Sequence, residues 1–140
     1  MSTTLPTDLG PASVRILIAD DSQIVRQGIK AILESAATYE ICGEAADGTQ
    51  AIHMAISLLP DIILLDVSMP GQDGLSTARH LRQELPNAKL IIMSQHDPTL
   101  LLPRAMEAGA HACVDKNNLD PELLQVIENI VRMPSVSLGQ

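Results

Sequence analysis

Four places along this 140-residue chain carry side chains fit for chemistry, and each comes at or just beyond the end of a short, mostly apolar run. Asp20 and Asp21 follow RILIA, Asp66 follows IILL, Ser94 ends LIIMS, and Lys116 stands just beyond ACVD. Three carboxylates brought into one crevice repel one another, and at ~4 Å each pair costs about 4 kcal/mol at an effective dielectric of roughly 20. A positive charge must therefore sit among them. Lys116 supplies one, but a hard divalent cation with oxygen ligands suits the cluster better. Magnesium takes one or two carboxylates plus a phosphate and keeps several waters. Such a set can serve phosphoryl transfer: a carboxylate attacks phosphorus, the metal neutralises the equatorial oxygens, and Lys116 and the Ser94 hydroxyl hold the rest.

Whether these groups meet depends on the elements between them. Short β-branched runs alternate with longer stretches of helical period, the signature of a parallel sheet covered on both faces. Strands are expected over residues 14–19, 40–45, 61–65, 90–94 and 111–114. The first helix should follow Ser22 as its cap, because Val25, Ile29, Ile32, Leu33 and Ala36 fall on one face. Further helices are expected at 48–58, 74–85 and 102–108, the last stopped by Gly109 in a left-handed conformation. Pro103 removes a hydrogen bond and clashes with the preceding turn. That helix should therefore start near Leu102 or kink, leaving Leu100, Leu101 and Leu102 as an irregular apolar lead-in offered to a partner. The final helix is marked most strongly. Asp120 can cap it, Pro121 suits its first position, Leu119 can pack on Leu124, and Leu123, Ile127, Ile130 and Val131 form its buried stripe.

Five strands alternating with five helices give a three-layer α/β sandwich, and the right-handed crossover rule leaves few topologies. The flavodoxin-like (βα)5 arrangement with sheet order 2-1-3-4-5 is expected. In such sheets ligands gather beyond the carboxyl ends of the strands, where strand order reverses between the first and third. All four chemical sites lie at those ends.

Composition narrows the function further. Hydrophobic residues make up 46% but aromatics only 1%, Tyr39 alone, so the core must be built from Leu, Ile, Val, Ala and Met. Without aromatic platforms, modes that stack a base or flat ring are excluded, single-stranded nucleic acid among them. A formal charge of −8 opposes binding of this segment to nucleic acid or anionic membrane. Cys42 and Cys113 make neither a disulfide framework nor a metal-ligand spacing, nothing at the N-terminus resembles a signal peptide, and no apolar run reaches ~20 residues. A cytoplasmic protein is expected. Residues 1–13 read as a flexible leader, 14–133 as one domain, and 134–140 as a tail or truncated linker too short for a helix-turn-helix.

The stretches ILIADDS (16–22), IILLDVSMPGQDG (62–74), LIIMSQHD (90–97) and EAGAHACVDK (107–116) together resemble the receiver domains of two-component response regulators. The run SQHD, with His96 and Asp97, leans toward the NarL/FixJ (LuxR-type) branch. The resemblance implies that Asp66 is the phosphoacceptor, Asp21 a direct magnesium ligand, and Asp20 an acidic neighbour acting mostly through water. It further implies that Ser68 offers its backbone carbonyl to the metal, Ser94 is the switch hydroxyl, and Lys116 pairs with acceptor or phosphate. The implied partners are a sensor histidine kinase and a second copy, as a homodimer through the fourth-helix, fifth-strand and fifth-helix face. DNA would be bound only by a C-terminal output domain. Such a domain assists its own phosphorylation and dephosphorylation but turns over no free substrate.

Two positions depart from the pattern. Relatives usually carry Tyr or Phe three residues before the lysine, where this chain has Cys113, so the usual aromatic half of the switch is missing. Asn117 follows the lysine where many relatives have a cis proline. His96, near the site, is a candidate for tuning phosphoryl lifetime. His53, His80 and His111 read as structural or solvated, and Cys42 as core. Taken alone, Asp20 and Asp21 would be helix caps and Lys116 a surface ion pair. Two other classes compete: a metal-dependent phosphohydrolase of similar fold, whose D-x-D signature differs from the adjacent pair here, and an interaction module that is never phosphorylated.

Overall fold

The computed structural model describes residues 13–36, 38–69 and 73–132. Most of the expected leader, Met133, the tail over 134–140 and Pro70 of the loop after Asp66 lie outside the described residues. The chain alternates β1 (Val14–Ala19), α1 (Gln23–Glu34), β2 (Tyr39–Ala45), α2 (Gly48–Leu58), β3 (Ile62–Asp66), α3 (Gly74–Glu84), β4 (Lys89–Ser94), α4 (Pro98–Glu107), β5 (Ala112–Asp115) and α5 (Leu119–Arg132). A single 3-10 turn, Lys116–Asn118, joins β5 to α5. All strand pairs are parallel, in the order β2-β1-β3-β4-β5. This is the expected flavodoxin-like sheet.

The two-residue period of the strands explains why apolar runs were needed rather than alternating ones. Leu17, Ala19, Ile63, Leu65, Leu90 and Ile92 point to one face, where they pack with α2, α3 and α4. Ile16, Ile18, Ile62, Leu64, Ile91 and Met93 point to the other, against α1 and α5. Both faces are dry, so no strand residue in this set can be polar. Alanines at 51, 55, 78 and 105 are fully buried on the first face, where their small side chains let helices lie close to the sheet without aromatic filler.

Helix ends follow local chemistry. Ser22 Oγ accepts from Val25 N at 3.2 Å, capping α1 as expected. Asp47 and Asp73 cap α2 and α3 in the same way. Gly109 has φ +101°, the left-handed stop after α4.

The fourth helix corrects the expectation. It is continuous from Pro98 to Glu107, so Leu100, Leu101 and Leu102 are helical rather than an irregular lead-in. Asp97 Oδ1 accepts from Thr99 N at 2.9 Å and from Thr99 Oγ1 at 2.7 Å, and Pro98 takes the first helical position, where its missing N–H has no partner to lose. Pro103 sits inside, and the packing of Leu101 and Ala105 onto the sheet offsets the hydrogen bond it removes.

At the other end, Asp120 is extended (φ −105°, ψ 112°), so α5 turns helical from Pro121 as expected. Val131, however, is 46% exposed and leaves the stripe of Leu123, Ile127 and Ile130. Among the described residues the cis peptide bond is Asp120–Pro121, not the bond after Lys116.

Candidate metal centre

Parallel pairing brings the strand ends to one edge, and the chemistry-bearing residues follow the last paired positions. Asp20 N donates to Ala45 O at 3.0 Å, extending the β1–β2 ladder by one bond before the chain turns. Its side chain bends back, with Oδ1 accepting from Ser22 N at 2.9 Å. Asp21 projects outward from the same turn and is exposed. Asp66 is the final residue of β3 and only 1% exposed. Its Oδ1 accepts from Ser68 N at 2.8 Å and its Oδ2 from Lys116 Nζ at 3.0 Å. The loop beyond it is closed by Gly74, since a Cβ there would fall 2.4 Å from Val67 Cα.

Lys116 reaches the cluster from the 3-10 turn after β5. Asp115 Oδ1 fixes that turn by accepting from Asn117 N at 2.8 Å, and Asn117 Nδ2 ties it to Gln95 O at 3.2 Å. The lysine side chain is 5% exposed and lies 2.9 Å from Asp20 Oδ2 as well as 3.0 Å from Asp66 Oδ2. The approach to Asp20 has ion-pair distance but not hydrogen-bond angles, so Asp20 Oδ2 is buried without a hydrogen-bond partner.

Electrostatically the site has too few cations. Burial lifts the Asp20 carboxyl above its ordinary value against Lys116 and Ser22 N, which lower it, while the charge on Asp66 lifts it further. Burial alone would lower the Lys116 ammonium, but the neighbouring Asp20 and Asp66 carboxylates outweigh that and hold it above its ordinary value. Oxygens of Asp20, Asp21 and Asp66 lie within 4.8 Å of one another. One ammonium cannot balance three carboxylates. A small divalent cation fits the excess charge, and Asp20 Oδ2, paired by charge with Lys116 but without a hydrogen bond, faces the same cluster.

Ser94 also reaches this edge. It is 1% exposed at the end of β4, and its Oγ accepts from His96 N at 3.0 Å. Val67, Ser68, Ser94, His96, Leu101 and Arg104 line a groove of about 440 Å³ beside Asp66. His96 lies at the rim of that groove and is exposed.

Cys113 is not at the cluster. It pairs with Ile92 and packs, half-buried, into the α2–α4 side of the core. Burial, followed by the charge of Glu122, pushes its thiol up to about 11, so it stays protonated and inert. His53 and His80 are exposed on helices. His111 Nδ1 accepts from Leu90 N at 3.0 Å, and burial holds its imidazole below the ordinary value, so it stays neutral as an acceptor of the sheet.

Sequence reasoning missed Arg26 and Glu44. Arg26 donates from Nη1 to Asp20 O at 2.7 Å and from Nε to Glu44 Oε1 at 2.9 Å. The signal was faint: a basic residue one turn after the cap of α1, close enough to fold back over the Asp pair.

Residues 16–128 match the response regulator receiver domain family. The chain is similar to the transcriptional regulatory protein LiaR of Bacillus subtilis, with 35% identity over 115 residues, 81% of this chain and 54% of that protein. To the probable transcriptional regulatory protein NarL of Mycobacterium tuberculosis it is 32% identical over 118 residues, 84% of this chain and 54% of that protein. It thus spans about half the length of the curated relatives it matches. Among solved structures, a two-component response regulator of the LuxR family from Aurantimonas sp. superposes with TM-score 0.80 at 35% identity, covering 86% of each chain. A parallel five-stranded sheet in this order, an acidic cluster at its reversal point and similarity across most of the chain leave one assignment: the chain belongs to the response regulator receiver domain family, in its LuxR/NarL-type branch.

Proposed function

We propose that Asp66 accepts a phosphoryl group from the phosphohistidine of a sensor kinase, with a magnesium ion held by the acidic cluster. An Asp66 oxygen forms the new O–P bond as the P–N bond to the kinase imidazole breaks. The electron pair leaves with the imidazole nitrogen, which takes up a proton from solvent. Asp21, Asp66 and the backbone carbonyl of Ser68 would hold the magnesium directly, and Asp20 would do so through water. When bound, the ion neutralises charge on the transferring phosphoryl oxygens. Lys116 and the Ser94 hydroxyl then steady those oxygens. The carrying observation is the state of Asp66: a buried carboxylate at a strand end, its oxygens held by Ser68 N and Lys116 Nζ, with two further carboxylates beside it.

The test is incubation of wild type and Asp66→Asn with magnesium and a small acyl phosphate, followed by intact mass. A gain of one phosphoryl group in the wild type alone is expected. Modification of both proteins, or of neither, overturns the reading. Steady release of phosphate from a free phosphomonoester would instead indicate a hydrolase, which the adjacent Asp20–Asp21 pair argues against.

At the level of the whole protein, the reading is a cytoplasmic receiver that assists its own modification without turning over a free substrate. It serves as the N-terminal part of a LuxR-type transcription regulator or as a stand-alone signalling protein. Leu100 (79% exposed), Leu102 (40%) and Met106 (51%) put apolar surface on α4. That surface supports homodimerisation through the α4, β5 and α5 face once Asp66 is modified. DNA contact would belong to an output domain.

A further inference from the structure

The turn that carries Asp20 and Asp21 is fastened from outside the acidic cluster. Arg26, one turn into α1, folds its guanidinium back so that Nη1 donates to the Asp20 main-chain carbonyl at 2.7 Å. Nε of the same guanidinium donates to Glu44 Oε1 on β2 at 2.9 Å. Glu44 is itself gripped from the other side by Lys30 Nζ, 2.9 Å from Oε2. The Arg26 side chain is only 16% exposed. Lys30 foremost, with Arg26 behind it, draws the Glu44 carboxyl below its ordinary value, so it stays ionised as the fixed end of the link. A planar guanidinium with several donors in fixed directions can hold both acceptors at once.

We propose that Arg26 is a positioning residue for the metal centre, bracing the Asp20–Asp21 turn against β2 through Glu44 and thereby setting magnesium affinity. This rests on the receiver reading given above. The brace matters because the other bonds that hold the turn are a ladder bond at its start, Asp20 N to Ala45 O on β2, and a local one, Ser22 N to Asp20 Oδ1. Those bonds fix the start of the turn and the Asp20 carboxylate. The Arg26 bond adds the Asp20 peptide plane, and that plane sets the direction in which Asp21 leaves the chain. Residues that orient metal ligands from outside the coordination sphere commonly change affinity by about 10- to 100-fold when removed.

Electrostatics gives the inference a sign. Arg26 is a cation near an acidic site, so as a mere charge it would repel magnesium, and its removal would tighten binding. As a brace it must do the opposite. Lys30 supplies the control, because it shares Glu44 but is not bonded to the Asp20 carbonyl.

The experiment titrates magnesium chloride into the full chain while following the backbone amide resonances of Asp21, Val67 and Ser68. Phosphorylation by a small acyl phosphate is measured in parallel across the same magnesium range. For Arg26→Ala the magnesium Kd is expected to rise about tenfold, with the phosphorylation rate at saturating magnesium within about twofold of wild type. Lys30→Ala should hold magnesium as wild type does or slightly more tightly. Glu44→Gln keeps an acceptor but loses its charge, and should fall between wild type and Arg26→Ala; it decides the matter if Arg26→Ala does not fold. An unchanged or lower Kd in Arg26→Ala, a Lys30→Ala variant weakened as much, or a wild-type Kd in Glu44→Gln overturns the brace. A wild-type chain that holds no magnesium overturns the receiver chemistry itself, and the brace with it.

Discussion

Lys116 faces two carboxylates with a single ammonium, and the consequences of changing any of the three differ in sign. Removing the lysine leaves Asp20 and Asp66 buried without compensation. Breaking a buried pair in this way typically costs about 3–5 kcal/mol. Lys116→Ala is expected to lose about that much in urea unfolding without magnesium. Asp20→Asn removes one of the crowded charges and the oxygen that lacks a hydrogen-bond partner. It should be more stable than wild type without magnesium and gain less from the ion. A magnesium-free Asp20→Asn less stable than wild type would show that the crowding is not felt.

Cys113 is the other residue with a distinct prediction. It stands where the receiver pattern usually has Tyr or Phe, and it packs, half-buried, into the α2–α4 side of the core. Phosphorylation is therefore expected without any ring moving at this position. Cys113→Tyr should cost about 1–3 kcal/mol by overpacking, yet match wild type in phosphorylation and in its sedimentation before and after it. A departure in either would mean that the small residue is itself required.

Among the α-helices, α4 buries the fewest residues. Ala105 is its buried residue, while Leu100, Leu102 and Met106 face outward. Pro103 removes one hydrogen bond from its interior. An element with few buried contacts opens at lower free energy than the core strands. Backbone amides of α4 are expected to exchange faster than those of α5, and to slow once Asp66 carries a phosphoryl group. Uniform strong protection along α4, unchanged by modification, would remove it from the output surface. By contrast the first turn of α3 is closely held, with Asp73 as its cap and Gly74 lying against Val67.

At the scale of the molecule, a ligand that binds only the folded state stabilises it by mass action. Magnesium at a hundred times its Kd should add about 2.7 kcal/mol, read as a rise in Tm, with Asp66→Asn gaining less. Calcium is larger and prefers more ligands than this cluster offers, so it should stabilise less at equal concentration. No gain with either ion would mean that the carboxylates do not act together.

Much of this was written locally. Both faces of the sheet are dry, so the strands had to be continuous branched runs, and those runs located the sheet and the residues that end it. Caps at Ser22 and the stop at Gly109 depend on neighbours within a few positions, and they too were legible. The α4 boundary is not written locally, because the Asp97 cap and the sheet that Leu101 and Ala105 pack against offset the penalty at Pro103. Val131 fell outside its stripe because a helix period gives the direction of a side chain, not the reach of the surface it meets. Only the tertiary structure joins Lys116 to Asp66 across 50 positions, or Arg26 to Glu44 across 18. Sequence determined which chemistry was present and at which strand ends. Folding decided how closely those charges meet: Asp20 and Asp66 are buried beside Lys116 with Asp21 exposed at the rim, because parallel pairing carries distant strand ends to one edge.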